Sequence, residues 1–216
     1  MEKILLKKIF KIKNKITSSI LSDELDKIGL ANQVLINWTV NNNKPIMGFA
    51  RTVLIKESRS GDENIKLGLS FLDKLSSDDI LIVNGSNNFA YFGELMTRLS
   101  IKKGFKGAII NGKTRDSIFT KKKKNFTIFS KGYSPIDIKL RGRVFKTDVS
   151  IKIKKTNIKK NDIIYADEEG VVIIPKECLK KLIPGIEKSI NNELKVINLI
   201  NNDVSIKNIL KQVKEF

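Results

Sequence analysis

Gly93, Glu94, Arg115 and Asp116 are the residues of this 216-residue chain whose types and spacing could do chemistry. A helix that starts at Gly93-Glu94-Leu95-Met96 leaves its first backbone amides unpaired. Those amides, with the helix dipole, favour a carboxylate or a phosphate. Further on, Asn111-Gly112 makes a tight turn that ends in the pair Arg115-Asp116. A guanidinium there can fork onto a carbonyl or carboxylate oxygen, and a carboxylate can hold Mg²⁺ or Mn²⁺ with waters. Spacing alone leaves two readings open for each member. Glu94 is a dipole-compensating acid or a site residue, and Arg115-Asp116 is a surface ion pair or an active-site pair.

The sequence contains no histidine. That removes Ser-His and Cys-His nucleophiles and any His-rich zinc site. The chemistry left to an enzyme of this composition comes from carboxylates, Lys, Arg, Tyr, backbone amides or a hard, oxygen-ligated metal.

The elements that must position these residues follow from apolar periodicity. Residues 1–15 read as a basic helical extension, and residues 16–29 as a helix with N-caps among Thr17, Ser18 and Ser19 and a stop at Gly29. Residues 48–56 read as a strand and residues 65–75 as a helix with Ile65, Leu69 and Leu72 on its inner stripe. Ile80-Leu81-Ile82-Val83 is a continuous apolar run, which suits a strand buried on both faces. The helix over 93–103 is expected to turn Leu95, Leu99 and Met96 inward and to end at a left-handed Gly104, before a buried strand at 107–110. This order of strand, helix, strand, helix, strand implies right-handed crossovers and a parallel or mixed sheet. Beyond it, residues 126–129, 143–154, 163–166 and 170–174 read as shorter strands. Pro184 opens a last helix (184–216), broken near Asn201-Asn202, with Ile186, Ile190, Leu194, Ile197 and Ile200 as its stripe.

Length favours one domain over 1–216. No apolar run reaches bilayer length, the lysine-studded N-terminus lacks a secretory pattern, and the single cysteine, Cys178, fits a reducing cytoplasm. The net charge of +18 raises a nucleic-acid partner. The lysines are spread along the chain together with Ile and Asn, however, and no zinc-finger spacing, RRM signature or clear helix-turn-helix accompanies them. Compositional bias explains them better than nucleic-acid binding. The local run Lys121–Lys124 reads as a solvated loop that could steer an acidic substrate.

From about Ser22 onward the chain resembles the RraA-like family, which includes class II 4-hydroxy-4-methyl-2-oxoglutarate/4-carboxy-4-hydroxy-2-oxoadipate aldolases. The early markers are Ser22-Asp23-Glu24-Leu25-Asp26, Gly48-Phe49-Ala50-Arg51-Thr52-Val53 and Gly61-Asp62-Glu63-Asn64. The core signature runs through Gly93-Glu94-Leu95-Met96 and Gly104-Phe105-Lys106-Gly107 to Asn111-Gly112-Lys113-Thr114-Arg115-Asp116. Gly132-Tyr133-Ser134-Pro135, Arg141-Gly142-Arg143-Val144 and the stretch from Ala166 to Pro175 complete it. The sequence departs from the family at Lys155-Thr156-Asn157 and Lys160-Asn161-Asp162, where glycine-rich and Pro-Gly-Asp turns are usual, and at the basic run after Asp116. Asn tolerates the left-handed turn that such a position requires.

The resemblance implies an α/β fold, a swivelling β/β/α domain with flanking terminal helices, assembled as a homotrimer or a dimer of trimers. It implies that the amides of Gly93, Glu94, Leu95 and Met96 bind the carboxylate of a small 2-oxo acid. Arg115 would contact the keto oxygen, and Asp116 would ligate Mg²⁺ or Mn²⁺. Glu193 of a neighbouring subunit would reach that metal through water, and Glu94 would serve proton transfer. The implied activity is metal-dependent aldol cleavage of a 4-hydroxy-2-oxo acid to pyruvate, with oxaloacetate decarboxylation beside it. Some family members instead bind and inhibit RNase E, so a non-catalytic regulator is the alternative.

Overall fold

The computed structural model describes residues 2–59 and 62–213, without the side chains of Glu2 and of residues 62–65. In chain order it contains α1 (Glu2–Ile12), α2 (Ser18–Lys27), β1 (Val34–Leu35), β2 (Thr39–Val40), β3 (Ile46–Glu57), α3 (Asp62–Leu72) and β4 (Asp79–Asn84). Next come β5 (Ala90–Phe92), α4 (Glu94–Lys103), β6 (Gly107–Asn111), β7 (Lys113–Thr114), α5 (Ser117–Thr120) and β8 (Thr127–Ser130). The strands β9 (Gly142–Thr147), β10 (Ile151–Ile153), β11 (Thr156–Ile158), β12 (Ile163–Ala166) and β13 (Val171–Ile174) precede α6 (Leu179–Asn201) and α7 (Ile206–Gln212). These elements form two compact units, residues 32–176 and residues 1–31 with 177–216.

The larger unit is built on a mixed sheet in the order β1-β13-β12-β3-β4-β6-β8-β2, with β9 also on β3. Its centre, β3-β4-β6-β8, is parallel. The continuous apolar runs behave as expected of strands covered on both sides. Leu81, Val83, Ala108 and Ile110 enter one core with Phe71, Phe92 and Phe126, while Ile80, Ile82 and Ile109 enter the other with Ile164 and Ile173. The turn at Asp167–Gly170 joins β12 to β13 and is closed by the Asp167 amide on the Gly170 carbonyl. Asn161 does adopt the left-handed conformation, at φ 67°, and the Asp162 carboxylate accepts from the Lys159 amide at 2.7 Å.

Two helices bury a different face from the one periodicity suggests. In α3 the buried positions are Gly68, Phe71 and Leu72, followed by Leu75, and Leu69 faces solvent. Ile65 and the Gly61-Asp62-Glu63-Asn64 marker cannot be placed, since Gly61 and the side chains of 62–65 lie outside the described residues. In α4 Leu95 is 72% exposed and Leu99 is exposed too, while Met96, Thr97 and Ser100 turn inward. The polar pair can face the core because each hydroxyl bonds a carbonyl one turn back. Thr97 Oγ1 donates to Gly93 O at 2.8 Å, and Ser100 Oγ donates to Met96 O at 2.6 Å. Gly104 ends the helix as expected, at φ 84°.

In the smaller unit α2 is capped by Thr17, whose hydroxyl accepts from the Ile20 amide. The last long helix starts at Leu179, not at Pro184, because Leu179, Leu182 and Ile183 extend the buried stripe of Ile186 and Ile190 backwards. Pro184 is thus an interior residue, and its missing N–H removes the helical bond to the Lys180 carbonyl. Gly185 leaves the room that the Glu24 carboxylate takes, and Glu24 also accepts from Ser189 and pairs with Lys27. The stripe does not continue inward as expected, for Leu194, Ile197 and Ile200 are about half exposed. Among the described residues no helix is long and apolar enough to cross a membrane.

One ionic cluster locks β3 to its neighbours. Arg51 forks onto Asp148 at 2.9 Å through Nε and Nη2, and its Nη1 reaches Asp79 and the Lys74 carbonyl. Burial pushes the Asp148 carboxyl up, but the hydrogen bonds and charges of Arg51 and Lys160 outweigh it and hold it below the usual carboxylate range. Removing the guanidinium leaves Asp148 with Lys160 and Asp79 with Ser76, so Arg51→Met should cost about 2–3 kcal/mol at neutral pH for the lost charged hydrogen bonds. A depressed carboxyl contributes stability that is present above its unfolded pKa of about 4 and lost as pH falls through its folded value. The gap between wild type and Arg51→Met in urea unfolding should therefore narrow below about pH 4. A gap unchanged at pH 3 would show that the cluster does not stabilise the fold in this way.

Candidate active site

Three segments of the larger unit meet around Asp116. The first is the end of β5 with the start of α4, the second the turn after β6, and the third residues 132–137. They are laced by backbone bonds: Arg115 N donates to Phe92 O at 2.9 Å, Thr114 N to Gly132 O at 3.0 Å, and Ser134 N to Thr114 O at 2.8 Å. Two glycines make the close packing possible. A Cβ on Gly112 would lie 2.5 Å from the Ser86 carbonyl, and one on Gly93 would collide with the Asp116 carboxylate and lie 2.8 Å from Arg115 Cγ.

At the centre, the Glu94 amide donates to Asp116 Oδ2 at 2.8 Å. Asp116 itself is left-handed, at φ 57°, a conformation Asp tolerates better than most residues. Its second carboxylate oxygen has no partner among the described residues. The amides of Leu95 and Met96 at the first turn of α4 likewise have no acceptor there. Arg115 Nη1 pairs with Asp137 at 2.8 Å, and Arg115 Nε lies 3.7 Å from Asp116 Oδ2.

The Glu94 side chain pairs with Arg98 one turn on, at 2.6 Å, so it serves as an i,i+4 partner as well as a first-turn acid. Arg98 in turn lies over Phe119, 4.3 Å from the ring centroid.

An open cavity of about 690 Å³ has Glu94, Arg115 and Asp116 on its wall. Ile118, Phe119 and Pro135 supply its apolar side, and Tyr133, Ser134 and Lys122 its remaining polar groups. Burial pushes the Tyr133 hydroxyl above its ordinary value, and like any tyrosine it is a protonated donor at neutral pH. The structure thus brings Gly93, Glu94, Arg115 and Asp116 together and leaves Leu95 and Met96 present through their backbones alone. Glu193 lies in the smaller unit, exposed on α6.

Sequence reasoning missed Arg98 and Asp137. The i,i+4 spacing from Glu94 could have found Arg98. Asp137 carries no local signal, because its place depends on the pairing of residues 136–138 with Ala90.

A helix start, a guanidinium and a carboxylate thus meet around one open cavity. The family description RraA-like, Aldolase/RraA, matches residues 18–173. The chain belongs to the RraA-like family. It is 31% identical over 163 residues to the "Putative 4-hydroxy-4-methyl-2-oxoglutarate aldolase" of Halalkalibacterium halodurans, covering 74% of this chain and 73% of that protein. It is 24% identical to the protein DlpA of Legionella pneumophila over 77% of this chain, and the match spans only 27% of DlpA. Among solved structures, Streptomyces coelicolor RraAS2, described as an unusual member of the RNase ES inhibitor RraA family, superposes with a TM-score of 0.75. It is 20% identical, over 88% of this chain and 93% of that one. An uncharacterized protein of Pseudomonas syringae pv. tomato reaches 0.79 at 20% identity, over 96% of both chains. At such identities the two structures establish the swivelling β/β/α fold and nothing more.

Gly93→Ala tests the packing directly. The added methyl should push the Asp116 carboxylate off the Glu94 amide, at a cost of about 1 kcal/mol for the lost charged hydrogen bond at a partly exposed site. In ¹⁵N-labelled protein the Glu94 amide resonance should shift upfield and exchange faster. An unmoved resonance would contradict the contact.

Proposed function

We propose that the chain is a divalent-metal-dependent lyase that cleaves a 4-hydroxy-2-oxo acid to pyruvate and a second carbonyl compound, with oxaloacetate decarboxylation as a side activity. The observation that carries the reading is the Asp116 carboxylate. One oxygen is fixed by the Glu94 amide, with Arg115 Nε 3.7 Å from it, and the other has no partner among the described residues in a side chain that lines the cavity. The name of the Halalkalibacterium relative points the same way.

The donor chemistry at Asp116 fits Mg²⁺ or Mn²⁺, which binds through one or two carboxylates and keeps most of its waters. No group of three candidate side-chain ligands exists among the described residues, so the protein would supply few ligands of its own. When bound, such a cation supplies positive charge beside the keto oxygen. We assign a water-mediated contact to that cation to Glu193 of a second copy, in a homotrimer or dimer of trimers. The half-exposed Leu194, Ile197 and Ile200 on α6 are apolar surface available for such an assembly.

The chain's own residues perform the rest. The open amides of Leu95 and Met96 receive the substrate carboxylate and orient the keto group. As the bond between C3 and C4 breaks, its electron pair moves onto the C2 carbonyl, and the C4 hydroxyl becomes a carbonyl as it loses its proton. Arg115, held in place by Asp137, stabilises the oxygen on which charge develops and requires no rearrangement to do so. Glu94, fixed by Arg98, positions a water that takes the hydroxyl proton, and a proton returned to C3 completes pyruvate.

A coupled pyruvate-release assay over a panel of 4-hydroxy-2-oxo acids and oxaloacetate tests this reading. Turnover should appear with Mg²⁺ or Mn²⁺ and vanish with chelator. Asp116→Ala should abolish it, and Arg115→Lys should lower kcat on the order of a hundredfold. Turnover that survives in Asp116→Ala would sink the assignment. No pyruvate from any substrate would turn attention to the RNase E inhibitor reading.

A further inference from the structure

We propose that a second cavity of the larger unit binds a zwitterion, a free α-amino acid with an apolar side chain. The cavity measures about 450 Å³ and is formed by the end of β3 and the segments that precede β5 and β9. It shares no lining residue with the cavity at Asp116, and the proposal does not depend on the lyase reading. Glu57, Arg59, Asn88 and Arg141 line it with polar groups, and Phe89 and Leu140 line it with apolar ones.

Both signs of charge are fixed in advance. Ser86 Oγ and Asn88 Nδ2 each donate to Glu57 Oε1 at 2.8 Å, which leaves Oε2 without a partner among the described residues. Arg141 Nη1 donates to the Asp137 and Lys139 carbonyls at 3.3 and 3.2 Å, and its Nε and Nη2 have no partner among those residues. Among the same residues Glu57 pairs with neither Arg141 nor Arg59, although all three line one cavity. Compositional bias does not account for the guanidiniums. Lysine outnumbers arginine 35 to 6, so the bias would place a lysine here, yet two of the six arginines line this cavity.

The mixed charge favours one kind of ligand. A simple anion would suit the guanidiniums and be repelled by Glu57, and a simple cation would meet the reverse problem. An α-amino acid satisfies both. Its carboxylate matches the fork of a guanidinium, and its ammonium can donate to the open Glu57 oxygen. Leu140 is 63% exposed and held at φ 65°, a conformation that is unfavourable for leucine. An apolar ligand side chain removes that exposed surface, and the surface of Phe89 in the cavity, from water.

Three probes separate the two charges: L-leucine, N-acetyl-L-leucine, which lacks the ammonium, and L-leucinamide, which lacks the carboxylate. In ¹⁵N-labelled protein, L-leucine should shift the Asn88, Phe89 and Leu140 amides saturably. It should bind at least about tenfold more tightly than either analogue. Glu57→Gln keeps an acceptor for Ser86 and Asn88 and removes only the charge. It should weaken L-leucine about tenfold without weakening N-acetyl-L-leucine, and Arg141→Gln should do the same without weakening L-leucinamide. The proposal is overturned if L-leucine gives no saturable shift at those amides, or if either analogue binds as tightly as L-leucine. It is also overturned if either variant weakens all three probes alike or none of them.

Discussion

The candidate site depends on one short contact, the Asp116 carboxylate against the first amide of α4. That contact exists only because residue 93 has no side chain and because Asp116 accepts a left-handed backbone. It uses one orphan donor of the helix and leaves the next two amides open. It also leaves the second carboxylate oxygen without a partner among the described residues, in a side chain that lines the cavity. The surrounding backbone bonds keep it there: Phe92 holds Arg115, Thr114 is gripped by Gly132, and the Asp137 segment runs beside Ala90. The whole arrangement rests on parallel strands buried on both faces, which fix where β6 ends and the turn begins.

Much of this was legible in the sequence because the deciding interactions were local. Continuous apolar runs marked β4 and β6, Gly104 marked the end of α4, and the start of α2 was narrowed to Thr17, Ser18 or Ser19, of which Thr17 is the cap. The unusual Asn161 turn was readable from the side chain's tolerance of positive φ. The inward faces of α3 and α4 were not readable in the same way. Counting leucines assumes that polar residues face water, and Thr97 and Ser100 evade that rule by bonding their own helix. The start of α6 was missed because Pro184 is a strong local signal for a first turn, and burial of Leu179 and Leu182 overrode it.

The site itself was legible as a set of residues and not as a geometry. Gly93, Glu94, Arg115 and Asp116 stood out by type and spacing, but no local pattern says that Asp116 reaches the Glu94 amide. Nor does any pattern join Asp137 to Arg115, since that pair depends on an edge pairing set by tertiary structure. The high positive charge resolves partly into packing. Lys131 lies 3.6 Å from the Trp38 ring centroid and Lys56 lies 3.8 Å from that of Phe145, so these side chains cover aromatic surface as well as carry charge.

The central claim is that Asp116 holds a divalent cation beside a bound 2-oxo acid. Electron paramagnetic resonance of Mn²⁺, titrated with protein in the presence and absence of pyruvate, tests it most directly. Asp116 should account for the bound signal, pyruvate should tighten it, and Asp116→Asn should return the spectrum to that of free Mn²⁺. Binding that persists in Asp116→Asn, or that ignores pyruvate, would contradict the account.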